Sequence, residues 1–176
     1  MPKKKKHPKD SMVNMTELVL PNDTNTLNNL MGGRLMHWMD IVSALAAQKH
    51  SNRIVVTASV DNISFAQPIA LGNVVNLRAQ VTRAFSSSME VYIEGFAENL
   101  QTATIVESHK AFFTFVAVDQ SGTPIDVPEL VPESKKEKEL FDGALRRRQL
   151  RLILAKRMKP KDAIELREFL DDEDDD

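Results

Sequence analysis

The sequence predicts an α+β domain in which a long antiparallel sheet curls around one central helix. Three observations carry this. A single stretch of helical apolar spacing runs from Leu35 to about Lys49, the period then falls to two over four successive segments from Ile54 onward, and a loop dense in Asn, Asp and Gly precedes the helix. The length of 176 residues with 42% hydrophobic residues suits one compact domain with extras at both ends.

Taken in order, residues 1–11 read as a basic arm. Residues 1–10 hold five Lys, one Asp and two Pro, too little apolar surface to order by burial. Met12–Leu20 supplies a first strand and opens a domain expected to run over 12–132. Pro21 to Gly33 is a loop of defined shape, because Asn and Asp bond to their own backbone and tolerate left-handed conformations. The helix that follows carries Leu35, Met36, Met39, Val42, Leu45 and Ala46 on one stripe and Trp38, Ile41, Ala44 and Ala47 elsewhere, so it is apolar nearly all round and expected to be buried. Strands are expected at about 54–65, 73–84, 88–98 and 103–118, with Phe85-Ser86-Ser87-Ser88 as a turn and Asp119-Gln120-Ser121-Gly122 closing the last. In the third strand Met89, Val91 and Ile93 alternate with Glu90, Tyr92 and Glu94, which predicts a sheet with one wet face. A helical extension is expected over 133–159, opened by the capping box Ser134 to Glu137 and ended by Pro160. Residues 160–176 read as an acidic tail, disordered from Asp171.

Charge excludes several functions. The net charge of −2 conceals a domain, residues 11–133, with six cations against twelve anions, since the ends hold the rest. That balance argues against a nucleic-acid partner, whose affinity comes from Lys and Arg releasing counterions. No run of about 18 apolar residues is present, so no membrane partner is expected. With no Cys there are no disulfides, thiolate sites or cysteine nucleophiles, which fits a reducing, cytoplasmic setting. The His residues show no metal-ligand spacing, and no GxSxG, Walker A or GxGxxG string occurs.

The candidate chemistry sits around the central helix. A helix starting at Gly32-Gly33 offers unpaired backbone amides and a partial positive charge, so the amide of Gly33 can meet an oxyanion; on the two glycines alone, a tight entry into a buried helix is the simpler explanation. Asp40 falls in the apolar run Leu35-Met36-His37-Trp38-Met39-Asp40, where a carboxylate needs compensation. Pairing with His37 one turn earlier would supply it, and so would a role as general base. Asn25 is a turn former, or a side chain that orients water or donates to a carbonyl.

Together these residues form a pattern. Asp23-Thr24-Asn25, Gly32-Gly33 leading into Leu35-Met36-His37-Trp38-Met39-Asp40, then Ile54-Val55-Val56-Thr57-Ala58-Ser59-Val60-Asp61 and Phe65-Ala66-Gln67-Pro68-Ile69, with Ala111 to Val118 later, resemble the hotdog-fold acyl-CoA thioesterases of the YciA and brain acyl-CoA hydrolase type. The resemblance covers about residues 14–132, and the helix beyond Pro132 is similar to the C-terminal extension of the brain-type enzymes. It implies hydrolysis of fatty acyl-CoA to free acid and CoA, with CoA as part of the substrate and no separate cofactor. It also implies a dimer, often a trimer of dimers, with Asn25 and Asp40 as a catalytic pair from opposite subunits and Gly33 as oxyanion donor. Asp40 is then general base or nucleophile. A non-catalytic acyl-CoA-binding regulator on the same fold is the alternative, and retention of Asn25 and Asp40 argues against it. The family commonly has Gly where this chain has Asn28, a residue type that tolerates a left-handed backbone. No motif spells out the coenzyme contacts; Arg83 with Ser86, Ser87 and Ser88 are placed for the nucleotide end, and the arginines of 146–151 are a second source of positive charge from a neighbouring subunit.

Overall fold

The computed structural model describes residues 4–61, 63 and 67–173. The elements run β1 (Lys5–Lys6), α1 (Pro8–Ser11), β2 (Val13–Leu18), α2 (Gly32–Ser51), β3 (Ile54–Asp61), β4 (Val74–Ala84), β5 (Ser88–Asn99), β6 (Thr104–Val118), β7 (Glu129–Leu130), α3 (Lys135–Leu154) and α4 (Ile164–Glu173). Strands β2-β4-β5-β6-β3 form one antiparallel sheet in that order, and β1 pairs in parallel with β7. The expected strand over 54–65 is seen as Ile54–Asp61; Asn62 and residues 64–66 lie outside the described residues.

The sheet packs on α2 because each strand presents an alternating apolar set to it. Val75, Leu77, Ala79 and Val81 of β4, Met89, Val91 and Ile93 of β5, and Phe113, Phe115 and Ala117 of β6 are buried with Leu35, Met39, Val42 and Ala46 of α2. Truncating a fully buried side chain such as Met39 to Ala costs about 2–5 kcal/mol. The helix is nevertheless not buried all round. Met36, Ile41 and Leu45 are exposed, and so are Ile54, Val56 and Val60 of β3, an edge strand. Apolar residues on every side of α2 therefore serve two surfaces, one facing the sheet and one left open on the protomer.

The basic arm is ordered from Lys5, against expectation. Its backbone gains partners: Glu129 N–H donates to Lys4 O and Val131 N–H to Lys6 O, both at 2.9 Å. Ser11 is fully buried, accepting from Val81 N–H at 3.0 Å and donating to Pro8 O at 2.9 Å. Lys6 Nζ donates to Lys49 O at 2.6 Å, a cation on the negative end of α2. That end closes on Asn52, left-handed at φ 54°, and His50 Nε2 donates to Pro128 O at 2.8 Å. Burial pushes the His50 imidazole below its ordinary pKa, so it is held neutral.

The outer face of β5 is covered at Glu90 and Tyr92 and part-exposed at Glu94. Glu90 is fully buried, its Oε1 accepting from Thr82 Oγ1 at 2.7 Å, and Tyr92 is buried against Phe112 with ring centroids 5.1 Å apart. Alternation reports which residues share a face, not whether that face is covered.

The chain divides into two compact units, Met1–Val131 and Pro132–Asp176. In the second, α3 opens with the expected box: Ser134 Oγ accepts from Glu137 N–H at 3.3 Å and Glu137 Oε2 accepts from Ser134 N–H at 2.8 Å. The helix ends at Leu154, ahead of Pro160, because Lys156 turns left-handed at φ 56° and Arg157 N–H closes back on Leu152 O at 2.8 Å. The Arg147 guanidinium folds over Gly143, where Arg147 Nη2 donates to Leu140 O at 2.9 Å. The acidic tail is helical over Ile164–Glu173, tied to α3 where Leu166 N–H donates to Gln149 Oε1 at 2.9 Å, Gln149 Nε2 donates to Glu165, and the Arg146 guanidinium lies 4.2 Å from the Phe169 ring centroid. Residues 174–176 lie outside the described residues.

Candidate active site

Residues 24–30 form a small hairpin, with Thr24 bridged to Leu30, Asn25 N–H donating to Asn29 O at 2.8 Å and Asn28 N–H to Asn25 O at 3.0 Å. The reversal needs a left-handed residue, and Asn28 supplies it at φ 56°. Asn25 closes the hairpin from inside, its Oδ1 accepting from Leu27 N–H at 2.9 Å and from Asn29 N–H at 3.2 Å. Two backbone donors on one oxygen fix the amide's orientation and leave Nδ2 as its remaining polar atom.

The hairpin delivers the chain to the start of α2. The first intrahelical bonds run from Arg34 N–H at 3.0 Å and Leu35 N–H at 3.1 Å to Met31 O. The amides of Gly32 and Gly33 have no partner among the described residues. A Cβ on Gly33 would meet nothing within 4 Å, so the chain's own packing does not demand glycine there.

Asp40 lies two turns along α2 and is half-buried. Its Oδ1 accepts from Thr57 Oγ1 at 2.8 Å, while His37 is exposed, so the compensation comes from the sheet and not from the helix. Thr57 was given no role by the sequence, although it sits in the quoted run Val55-Val56-Thr57-Ala58. Nothing local marks it out, since the same strand also carries Ser59 and Asp61. The register of β3 on β6 slips between Thr57 and Ser59, a bulge of the kind found where a strand re-aims a side chain.

Arg83 and Ser86 to Ser88 sit at the β4–β5 turn, where Ser86 O accepts from Val127 N–H at 2.9 Å and Ser87 O from Ala117 N–H at 2.8 Å. The Arg83 guanidinium lies 5.7 Å from the Phe85 ring centroid. Thr57 pairs with Phe115, Phe115 with Met89 and Met89 with Ala84, so this turn lies three strands from Thr57 on one transverse row, about 14 Å at ordinary strand spacing. The structure thus brings Asp40 to Thr57 and Asn25 to the start of α2, and sets Arg83 with the serines apart from both.

Known proteins are similar to this chain in sequence and in fold. Residues 27–104 match the thioesterase superfamily. An uncharacterized acyl-CoA thioester hydrolase, YkhA of Bacillus subtilis, is 40% identical over 139 residues, covering 79% of this chain and 81% of its own. The chain belongs to the hotdog-fold thioesterases. A crystal structure of an apo-hexameric acyl-CoA thioesterase superposes with a TM-score of 0.84 at 38% identity, over 86% of this chain and 97% of that one. An acyl-CoA hydrolase from Staphylococcus aureus, solved with butyryl coenzyme A and coenzyme A, gives 0.79 at 35% identity, over 86% and 94%. Variants of that hydrolase with one Asn, one Asp and one Thr each replaced by Ala have been solved. The replaced positions are 15 and 17 residues apart, in that order. Asn25, Asp40 and Thr57 of this thioesterase have the same order and the same intervals.

Proposed function

We propose that this thioester hydrolase cleaves acyl-CoA to a free acid and CoA, with Asp40, Thr57, Asn25 and the Gly33 amide as its working groups. The observation that carries the reading is the Asp40 carboxylate: Thr57 holds Oδ1, and Oδ2 has no partner among the described residues. As general base, Asp40 takes a proton from water as the water oxygen attacks the thioester carbon. The Gly33 amide meets the carbonyl oxygen as it gains charge, and Asn25 Nδ2 donates to the same oxygen or to the water. Collapse breaks the C–S bond and the proton on Asp40 passes to the departing thiolate. As nucleophile, Asp40 would instead attack the thioester carbon and expel the CoA thiolate as the C–S bond breaks, leaving an anhydride that water opens to the acid and the Asp40 carboxylate, with the protons released passing to the thiolate and to solvent.

Asn25 and Asp40 are contributed by opposite subunits of a dimer in this reading. The exposed apolar side chains Met36, Ile41 and Leu45 of α2 and the open edge of β3 favour such pairing. Trimers of dimers are the further assembly, in cytoplasm. Arg83 and the turn Ser86–Ser88 meet the nucleotide end of CoA, a distance that the pantetheine arm bridges.

Thiol release over a panel of acyl-CoA chain lengths tests the activity. Asp40→Asn should lower kcat about 100-fold or more with the fold intact. Single turnover in isotopically labelled water separates the two roles where label enters the Asp40 carboxylate, which only an anhydride opened at Asp40 can produce; direct attack by water puts it in the released acid. Wild-type turnover by Asp40→Asn would remove Asp40 from the chemistry.

A further inference from the structure

Asp23 is bonded on every side. Its N–H donates to Leu20 O and its carbonyl accepts from Met31 N–H, both at 2.9 Å. Oδ2 accepts from Leu20 N–H at 3.0 Å, and Oδ1 accepts from Arg34 Nε at 2.6 Å. The side chain is 8% exposed, where an uncompensated carboxylate would be costly. The Leu20 N–H, then the Arg34 guanidinium, hold it below the ordinary carboxylate pKa, so it stays charged. One residue thereby ties the entry of the 21–31 loop, its exit and the first turn of α2.

What this frame encloses is the Asn25 hairpin. Asn25 spends Oδ1 on Leu27 and Asn29, so the direction of Nδ2 is set by the hairpin, and the hairpin is held to α2 through Asp23. We infer that Asp23 and Arg34 are a positioning pair for thioester hydrolysis: clamping the loop to the first turn of α2 fixes Asn25 Nδ2 relative to the Gly33 amide. The inference rests on the reading of Asn25 as a group that touches water or substrate. Arg34, itself 40% exposed, compensates a nearly buried carboxylate, so its loss costs stability as well as geometry, and the Asn25→Ala background separates the two.

The test is a double-mutant cycle on the full chain, read by thiol release. Arg34→Met keeps the aliphatic stem and should lower kcat by up to about 100-fold, the scale of an ångström of misplacement, with KM within about threefold. Arg34→Lys should recover most of the loss. Asp23→Asn, which keeps the Leu20 acceptor and removes the charge, should behave as Arg34→Met does. Placed on Asn25→Ala, Arg34→Met should add nothing, since a group acting only through Asn25 has nothing left to act on. Lys110→Gln, which opens the exposed pair with Glu107, serves as the control that leaves both constants unchanged. Wild-type kcat in Arg34→Met, or an equal loss on the Asn25→Ala background, would overturn the positioning role while leaving Asn25 in place. Wild-type kcat in Asn25→Ala would instead overturn the reading beneath it.

Discussion

The two halves of the site are held by opposite means. Around Asn25, four backbone bonds, two side-chain acceptor bonds and the Asp23–Arg34 pair determine the hairpin from within one protomer. The Asp40 carboxylate has one hydrogen bond among the described residues, from an exposed threonine on an edge strand, and the same helix leaves Met36, Ile41 and Leu45 open to solvent. One half is finished by its own chain; the other is left open, and the proposed dimer would complete it. Preorganisation of a donor needs rigidity, because its value depends on not having to reorient as charge develops. A base needs desolvation more than rigidity, and a second subunit covering the open flank of α2 can supply it.

Asn25 offers the largest break in this comparison, since its two atoms do different things. Asn25→Asp keeps an oxygen for Leu27 and Asn29 but has no Nδ2 donor, whereas Asn25→Ala loses both. Each should lower kcat about 100-fold if the donor is what chemistry uses. Only Asn25→Ala should unfold earlier, by about 1–2 kcal/mol for two backbone donors left without their acceptor. Thermal melts beside thiol release check this, and equal destabilisation by both would mean that the loop is not closed by Oδ1.

The finished half was also the more legible one. Asn and Gly announce turns by local chemistry, so the loop, its tolerance of Asn28 at φ 56° and the start of α2 follow from short-range rules. Strand ends fell within two residues where the alternation was unbroken, as in β4 and β5. Thr57 was missed because its role exists only once β3 is laid beside α2, a long-range fact with no local mark. The basic arm was misread for a related reason: composition counts what side chains can bury, while Lys5–Lys6 are ordered by backbone pairing to Glu129–Leu130. Glu90 shows the same limit on the sheet, where an alternating charge looked solvated and proved buried against Thr82.

Gly33 sharpens the boundary between the halves at a smaller expected effect. A methyl there meets nothing within 4 Å in the protomer, and Ala is better than Gly in a helix by up to about 1 kcal/mol. Gly33→Ala should therefore melt slightly later yet hydrolyse more slowly, by roughly 10- to 100-fold, because the open space is where a carbonyl must approach the amide. A variant that is both more stable and fully active would show that the amide is not used.

Thr57 is the smallest perturbation, and it reads the looser half directly. Thr57→Val keeps the β-branched shape that the strand prefers and removes only the hydroxyl that holds Asp40 Oδ1. A hydrogen bond to a charged group is worth about 1.5–3 kcal/mol, but Asp40 in an open protomer can exchange it for water at little cost to the fold. The melting temperature should barely move. In the proposed dimer the same oxygen would face less water, so the loss should surface in kcat, by about tenfold or somewhat more, with KM little changed. Should Thr57→Val lower stability and spare kcat, the hydroxyl would belong to the packing of β3 and the contrast between the two halves would fail at that residue.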